Sequence, residues 1–155
     1  MSDPTALYVT GHSAGAVLSA EIGVNLAWLK QAGVDKRVLR GIAPISGPYD
    51  LRKFDELANY VPTGRAKEEA SPLLHIVDPV LYAVVAHGSH NAEEDSFQAS
   101  TSAFVTALRK HGTHVDAIVL AGSGHIATAM AIGTPGSSLS DAILAMISAT
   151  AYRRM

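Results

Sequence analysis

The sequence predicts an α/β fold, a parallel sheet covered by crossover helices, and three observations carry that expectation. Short apolar runs rich in β-branched residues alternate with longer stretches of helical spacing. Turns rich in glycine and small polar residues separate them, and no internal repeat or low-complexity tract interrupts the alternation. A length of 155 residues with 48% hydrophobic and 17% charged residues fits one domain over 1–155, and a chain of that size buries about 70% of the surface exposed when unfolded.

The elements follow in order as about four strands and four helices. Ala6 to Thr10 is the first strand, and a glycine-bounded turn leads into Ala14 to Gln31. There Val17, Ile22, Leu26 and Leu29 keep near-helical spacing over about five turns, with Gly33 as the stop. Arg37 to Ile45 is the second strand, and Pro44 is expected to put its end at a sheet edge or a bulge. Leu51 to Tyr60 reads as a short helix, and Val61 to Glu69 as an excursion over the surface. Pro79 to Ala86 is the third strand, His87 to Asp95 a polar loop, and Ser96 to Lys110 a helix. Val115 to Leu120 is the fourth strand, Ala121 to Gly124 a turn of small residues, and Leu139 to Ala151 a final amphipathic helix.

Composition removes several classes of function. Twelve Lys and Arg against fourteen Asp and Glu leave no excess to neutralise phosphates, which excludes a nucleic-acid footprint. The absence of cysteine excludes a disulfide scaffold, thiolate chemistry and Cys-ligated zinc. No apolar run reaches the roughly 18 residues of a membrane span, and Met1 to Pro4 lacks a signal-peptide pattern, so the expected compartment is the cytoplasm with no membrane partner.

The segment that carries chemistry is Gly11-His12-Ser13-Ala14-Gly15, a G-x-S-x-G between a predicted strand and a predicted helix. A serine on so sharp a turn is held in strained backbone geometry, and the small residues two positions to either side let strand and helix approach. Its hydroxyl then projects above the carboxyl end of the sheet. The N–H of Ala14, at the helix N-terminus, faces a developing oxyanion.

A serine nucleophile needs an imidazole, and seven histidines compete for that role. His125, in the glycine loop after the last strand, shares the carboxyl edge with Ser13. His12 sits inside the elbow and is expected to pack or bond locally, His75 to be structural, and His111 and His114 to be solvated. His87 and His90 share a loop with acids, which raises a metal site, but no H-E-x-x-H pattern accompanies them. A third member, a carboxylate orienting the imidazole, is expected after the third strand, where Glu93, Glu94 and Asp95 are consecutive. The same acids also suit the start of a helix. The order serine, acid, histidine is the α/β-hydrolase order.

From Leu7 to Ala16 the chain resembles the elbow of α/β-hydrolase-fold serine esterases, the carboxylesterase and kynurenine formamidase-like branch in particular. Pro44 to Leu51 and Ser71-Pro72-Leu73-Leu74 are similar to two further segments of that family. The resemblance implies Ser13 as nucleophile, His125 as base and Ala14 as an oxyanion donor. Counting on from His87-Gly88, as in relatives with H-G-x-x-D, puts the acid at Asn91. Counting back from Phe97, as in relatives with E-x-x-x-F, puts it at Glu93, the preferred position, with Glu94 and Asp95 open.

The family also places several strands and an H-G-G oxyanion loop ahead of the elbow, and these are missing here. The chain is thus expected to be the C-terminal part of a hydrolase domain. The resemblance implies a small carboxylic ester or an aryl formamide as substrate, and no cofactor or metal. An unpaired first strand would offer an edge for a second copy or for a missing N-terminal half. A catalytically silent remnant acting through that edge and a flavodoxin-like binding module are the competing readings.

Overall fold

The computed structural model describes residues 5–25, 27–61, 64–90 and 92–151, and of residues 92–95 the backbone alone. Four parallel strands form one sheet in the order β1 (Leu7–His12), β2 (Leu39–Ile45), β3 (Tyr82–Gly88) and β4 (His114–Leu120). The described residues also form six α-helices, two more than the sequence suggested: α1 (Ala14–Val24), α2 (Ala27–Gln31), α3 (Gly64–Glu69), α4 (Ala92–Lys110), α5 (His125–Met130) and α6 (Ser138–Ala151). None of them is long and apolar enough to cross a membrane.

Strand alternation divides the core between the two faces of the sheet. Ile42, Ala83, Val85 and Val115 face one way, into a cluster with Ala16, Ala20 and Val24 of α1 and Phe104, Val105 and Leu108 of α4. Ala43, Ile45, Val84 and Ala86 face the other way, against Leu139 and Met146 of α6. Tyr49 and Phe104, both fully buried, stack at 4.3 Å in the first cluster. Buried on both faces, β2 and β3 read as continuous apolar runs, as interior parallel strands do.

The first expected helix is two helices. Asn25 leaves helical geometry at φ −125°, and its side-chain oxygen accepts from the Ala27 N–H at 3.3 Å. Asparagine competes in this way with the helical backbone, and here it outweighs the apolar spacing. Past α2 the chain closes as expected at Gly33, which takes φ 69° while Val34 N–H reaches back to the Leu29 carbonyl, a Schellman closure.

Pro44 lies in the interior of the sheet, which corrects the edge or bulge read from it. It pairs with Gly11 of β1, while β2 and β3 pair at Ile42↔Ala83 and Ile45↔Ala86 with no pairing between. The missing proline N–H therefore falls in that gap, toward β3, and Ser46 N–H restores contact with the Ala86 carbonyl at 2.8 Å.

Leu51 to Tyr60 is not one helix either. Two 3-10 turns, Leu51–Lys53 and Asp55–Asn59, flank Phe54, which takes φ −120°, ψ 84° and lays its buried ring over Phe97 at 6.0 Å. Burial of that ring outweighs continuation of the helix. The following excursion contains α3 and is tied down by polar side chains. Leu51 N–H donates to Ser71 Oγ, which donates on to the Lys67 carbonyl, and Tyr49 N–H donates to Ser100 Oγ on α4.

Asp50 is buried in this loop and binds Arg52 through both oxygens, at 2.8 and 3.0 Å. The hydrogen bonds from Arg52 hold its carboxyl below the usual aspartate range, against the opposing effect of burial. A depressed folded value gives stability that is present above the unfolded pKa and is lost as pH falls through the folded one. Urea midpoints should accordingly fall as pH drops below roughly 4, and Asp50→Asn should be weaker at neutral pH with a shallower acid loss. Phe104→Ala, which empties the space beside Tyr49, should lower unfolding free energy by about 3–5 kcal/mol with an unchanged urea dependence.

Candidate active site

Strand β1 turns into helix α1 at a single residue, Ser13, with φ 58° and ψ −118°. Positive φ in a residue with a Cβ stores about 1–3 kcal/mol of strain, and the surroundings impose it. Ser13 N–H still belongs to the sheet, donating to the Ile45 carbonyl at 3.0 Å, while its carbonyl already accepts from Ala16 N–H at 3.0 Å. The serine hydroxyl makes no bond to cap α1. Ala14 is the first residue of that helix, where N–H groups have no carbonyl in the preceding turn to meet.

The two glycines of the motif have different roles. A Cβ on Gly11 would lie 2.0 Å from the Gly15 carbonyl oxygen, an impossible approach, so Gly11 is required by contact with the first turn of α1. A Cβ on Gly15 meets nothing within 4 Å. The close approach expected of both small residues thus rests on the side chain that Gly11 lacks and on the backbone of Gly15.

His125 opens α5 directly after β4, at the carboxyl edge of the sheet where β1 ends. His12 reaches it, with ring centroids 4.4 Å apart and His12 Nε2 2.8 Å from the His125 carbonyl oxygen. This corrects the local role expected of His12, whose partner lies 113 positions away in the chain. Phe97, on α4, stacks on the His125 ring at 4.8 Å and 14°. The elbow, the last βα connection and α4 are thereby brought together around His125.

The polar loop expected over His87 to Asp95 is shorter, because α4 begins at Ala92. Glu93, the preferred acid, and Glu94 and Asp95 stand in the first turn of α4 rather than in a loop, and their side chains lie outside the described residues, as does Asn91. Glu93 occupies the helical position four before Phe97. The loop ahead of it is fastened to the loop that carries His125: Ser89 N–H donates to the Ser123 carbonyl at 3.1 Å, and Gly122 N–H donates to Ser89 Oγ at 3.2 Å.

Of the remaining histidines only His90 comes near this cluster, and His111 is exposed just past the end of α4. His87 is buried at the end of β3 with Nδ1 donating to the Gly88 carbonyl, and His90 is exposed, its ring close to Gly124. His75 contacts Glu21 at 3.1 Å, and His114 is 3.5 Å from Asp116 on β4. Among the described residues no three His, Cys, Asp or Glu are grouped to hold a metal ion.

Sequence reading did not single out Ser46 or Thr128. Ser46 is fully buried at the end of β2 with φ 48°, and its Oγ lies 3.0 Å from Thr128 Oγ1, which donates to the His125 carbonyl at 2.6 Å. Thr128 carries no motif, and Ser46 lies in the family-like segment Pro44 to Leu51 without a role of its own there. Their convergence on His125 joins residues 82 positions apart in the chain.

No protein-family model matches the sequence, and no curated protein matches it significantly. Solved structures do match. A truncated form of a carbohydrate esterase from gut microbiota is 17% identical with a TM-score of 0.69, over 96% of this chain and 61% of that one. An acetyl ester-xyloside bifunctional hydrolase from Caldicellulosiruptor lactoaceticus is 15% identical with a TM-score of 0.73, over 97% and 58%. A hyperthermophilic esterase from the archaeon Pyrobaculum calidifontis is 14% identical with a TM-score of 0.67, over 95% and 54%. The chain shares the α/β-hydrolase fold of these esterases over the part it covers. It spans little more than half their length.

The strain at Ser13 separates two substitutions that both remove the hydroxyl. Ser13→Gly should be more stable than Ser13→Ala by about 1 kcal/mol, because only glycine takes positive φ without a Cβ clash. Thermal unfolding of the pair, prepared identically, reads the difference.

Proposed function

We propose that the chain is a serine ester hydrolase. The observation that carries this reading is Ser13 itself, a strained residue between a parallel strand and a helix, with His125 held against the neighbouring His12. A fold shared with esterases supports the same class. In the proposed mechanism Ser13 Oγ attacks the ester carbonyl while His125 takes its proton, and the tetrahedral oxyanion accepts from Ala14 N–H. Collapse expels the alcohol, to which His125 returns the proton. Water then attacks the acyl carbonyl while His125 takes its proton, and collapse releases the free acid as His125 returns that proton to Ser13 Oγ. Glu93 is the proposed third member, orienting the imidazole and stabilising its charged form.

Small carboxylic esters are the proposed substrates. An aryl formamide is the alternative, since the attack and the proton path are the same for an amide carbonyl.

A second reading rests on β1. This strand is one of the two outer members of the sheet, it pairs with β2 alone among the described residues, and Leu7 at its start is 42% exposed. A strand from a second copy, or from a separate N-terminal half of the kind the family places before the elbow, would complete the sheet there. On this reading the chain is a silent remnant that works through association.

Hydrolysis of a short-chain p-nitrophenyl ester, with fluorophosphonate labelling in the same samples, separates the two. Turnover and labelling should both vanish in Ser13→Ala. Equal background rates in both proteins, together with a mass that rises with concentration in sedimentation, would establish the associating remnant instead.

A further inference from the structure

The His125 carbonyl joins β1 to α5. His12, the last residue of β1, brings Nε2 to 2.8 Å of this oxygen, and Thr128, on α5, brings Oγ1 to 2.6 Å. A carbonyl oxygen only accepts, so His12 must carry a proton on Nε2 and Thr128 must spend its hydroxyl hydrogen there. Thr128 Oγ1 then has only lone pairs left for Ser46 Oγ, at 3.0 Å, so Ser46 is the donor in that contact. Every proton in the chain Ser46 to Thr128 to the His125 carbonyl, and from His12 to the same oxygen, has one direction. Ser46 and Thr128 are fully buried, which strengthens these bonds and makes their loss costly.

We infer that His12 is a positioning residue that fixes the aim of His125 by holding its carbonyl, with Thr128 and Ser46 completing the clamp. The role rests on Ser13 and His125 acting as nucleophile and base, whereas the clamp itself does not. His12 is covalently next to Ser13, so one side chain ties the strand that presents the nucleophile to the backbone of the residue that presents the base. Phe97 limits the imidazole by stacking on its ring. The hydrogen bond from His12 adds a restraint on the backbone of the same residue, from the strand that carries Ser13. Leucine at position 12 would fill space without a donor, whereas glutamine carries an amide N–H at similar reach.

The test combines a spectroscopic and a chemical readout. Long-range proton–nitrogen correlation spectra of the native chain should show His12 as the Nε2–H tautomer, and the His125 ring signals should move in His12→Leu and return in His12→Gln. The rate of Ser13 labelling by a fluorophosphonate, per folded molecule, should fall about ten- to a hundredfold in His12→Leu. It should recover in His12→Gln and fall in Thr128→Val.

An Nδ1–H tautomer at His12, or a native labelling rate in folded His12→Leu, would overturn the inference. If His12→Leu does not fold, the native tautomer and the Thr128→Val rate decide. A native chain that labels no faster than Ser13→Ala would instead defeat the hydrolase reading, and the tautomer would then decide the clamp alone.

Discussion

Between His12 and Ala14 the backbone passes from strand to helix with one residue to spare, and most of the architecture answers to that passage. Ser13 gives its N–H to the neighbouring strand and its carbonyl to the helix, so neither element can shift without breaking a bond of the other. The reversal brings the first turn of α1 onto β1 so closely that Gly11 has no room for a side chain. It also sets the line of α1, whose Ala16, Ala20 and Val24 cover one face of the sheet. Strain of about 1–3 kcal/mol at one residue persists because apolar burial along α1 and β2 outweighs it.

The carboxyl edge of the sheet collects the polar chemistry for a related reason. Parallel strands all end on the same side, so the connections after β1, β2, β3 and β4 must neighbour one another there. Here they do more than neighbour. The β3 and β4 connections are bonded through Ser89, and the ends of β1 and β2 reach the start of α5 through His12 and Ser46. The loops that surround His125 are cross-braced by side chains at the ends of strands.

Much of this is legible in the sequence, and the failures have identifiable causes. Strands β2 and β3 are visible because interior parallel strands are apolar on both faces. The elbow is visible because a serine two residues after Gly11, between strand and helix, marks a turn that a side chain at position 11 would not permit. The split between α1 and α2 is hidden because Asn25 acts through a side-chain bond that apolar spacing does not register. The start of α4 reads late because acids suit both a solvated loop and a first helical turn. Helix α5 has six residues after a glycine and no side-chain cap, too little pattern to read. His12, Ser46 and Thr128 are opaque for a deeper reason, since their importance lies in one carbonyl that only the folded chain assembles.

Strand β1 supports Ser13 yet, among the described residues, is one of the two outer strands of the sheet, bonded to β2 on a single flank. Outer strands open at lower free energy than inner ones, so the turn that aims the serine sits next to a segment whose local opening equilibrium is comparatively shallow. Whatever lies along the other flank of β1 and prefers the closed strand deepens that equilibrium by mass action, without touching Ser13. The geometry of the turn at Ser13 is therefore a thermodynamic variable that can be set from the edge of the sheet, at a distance from the serine itself.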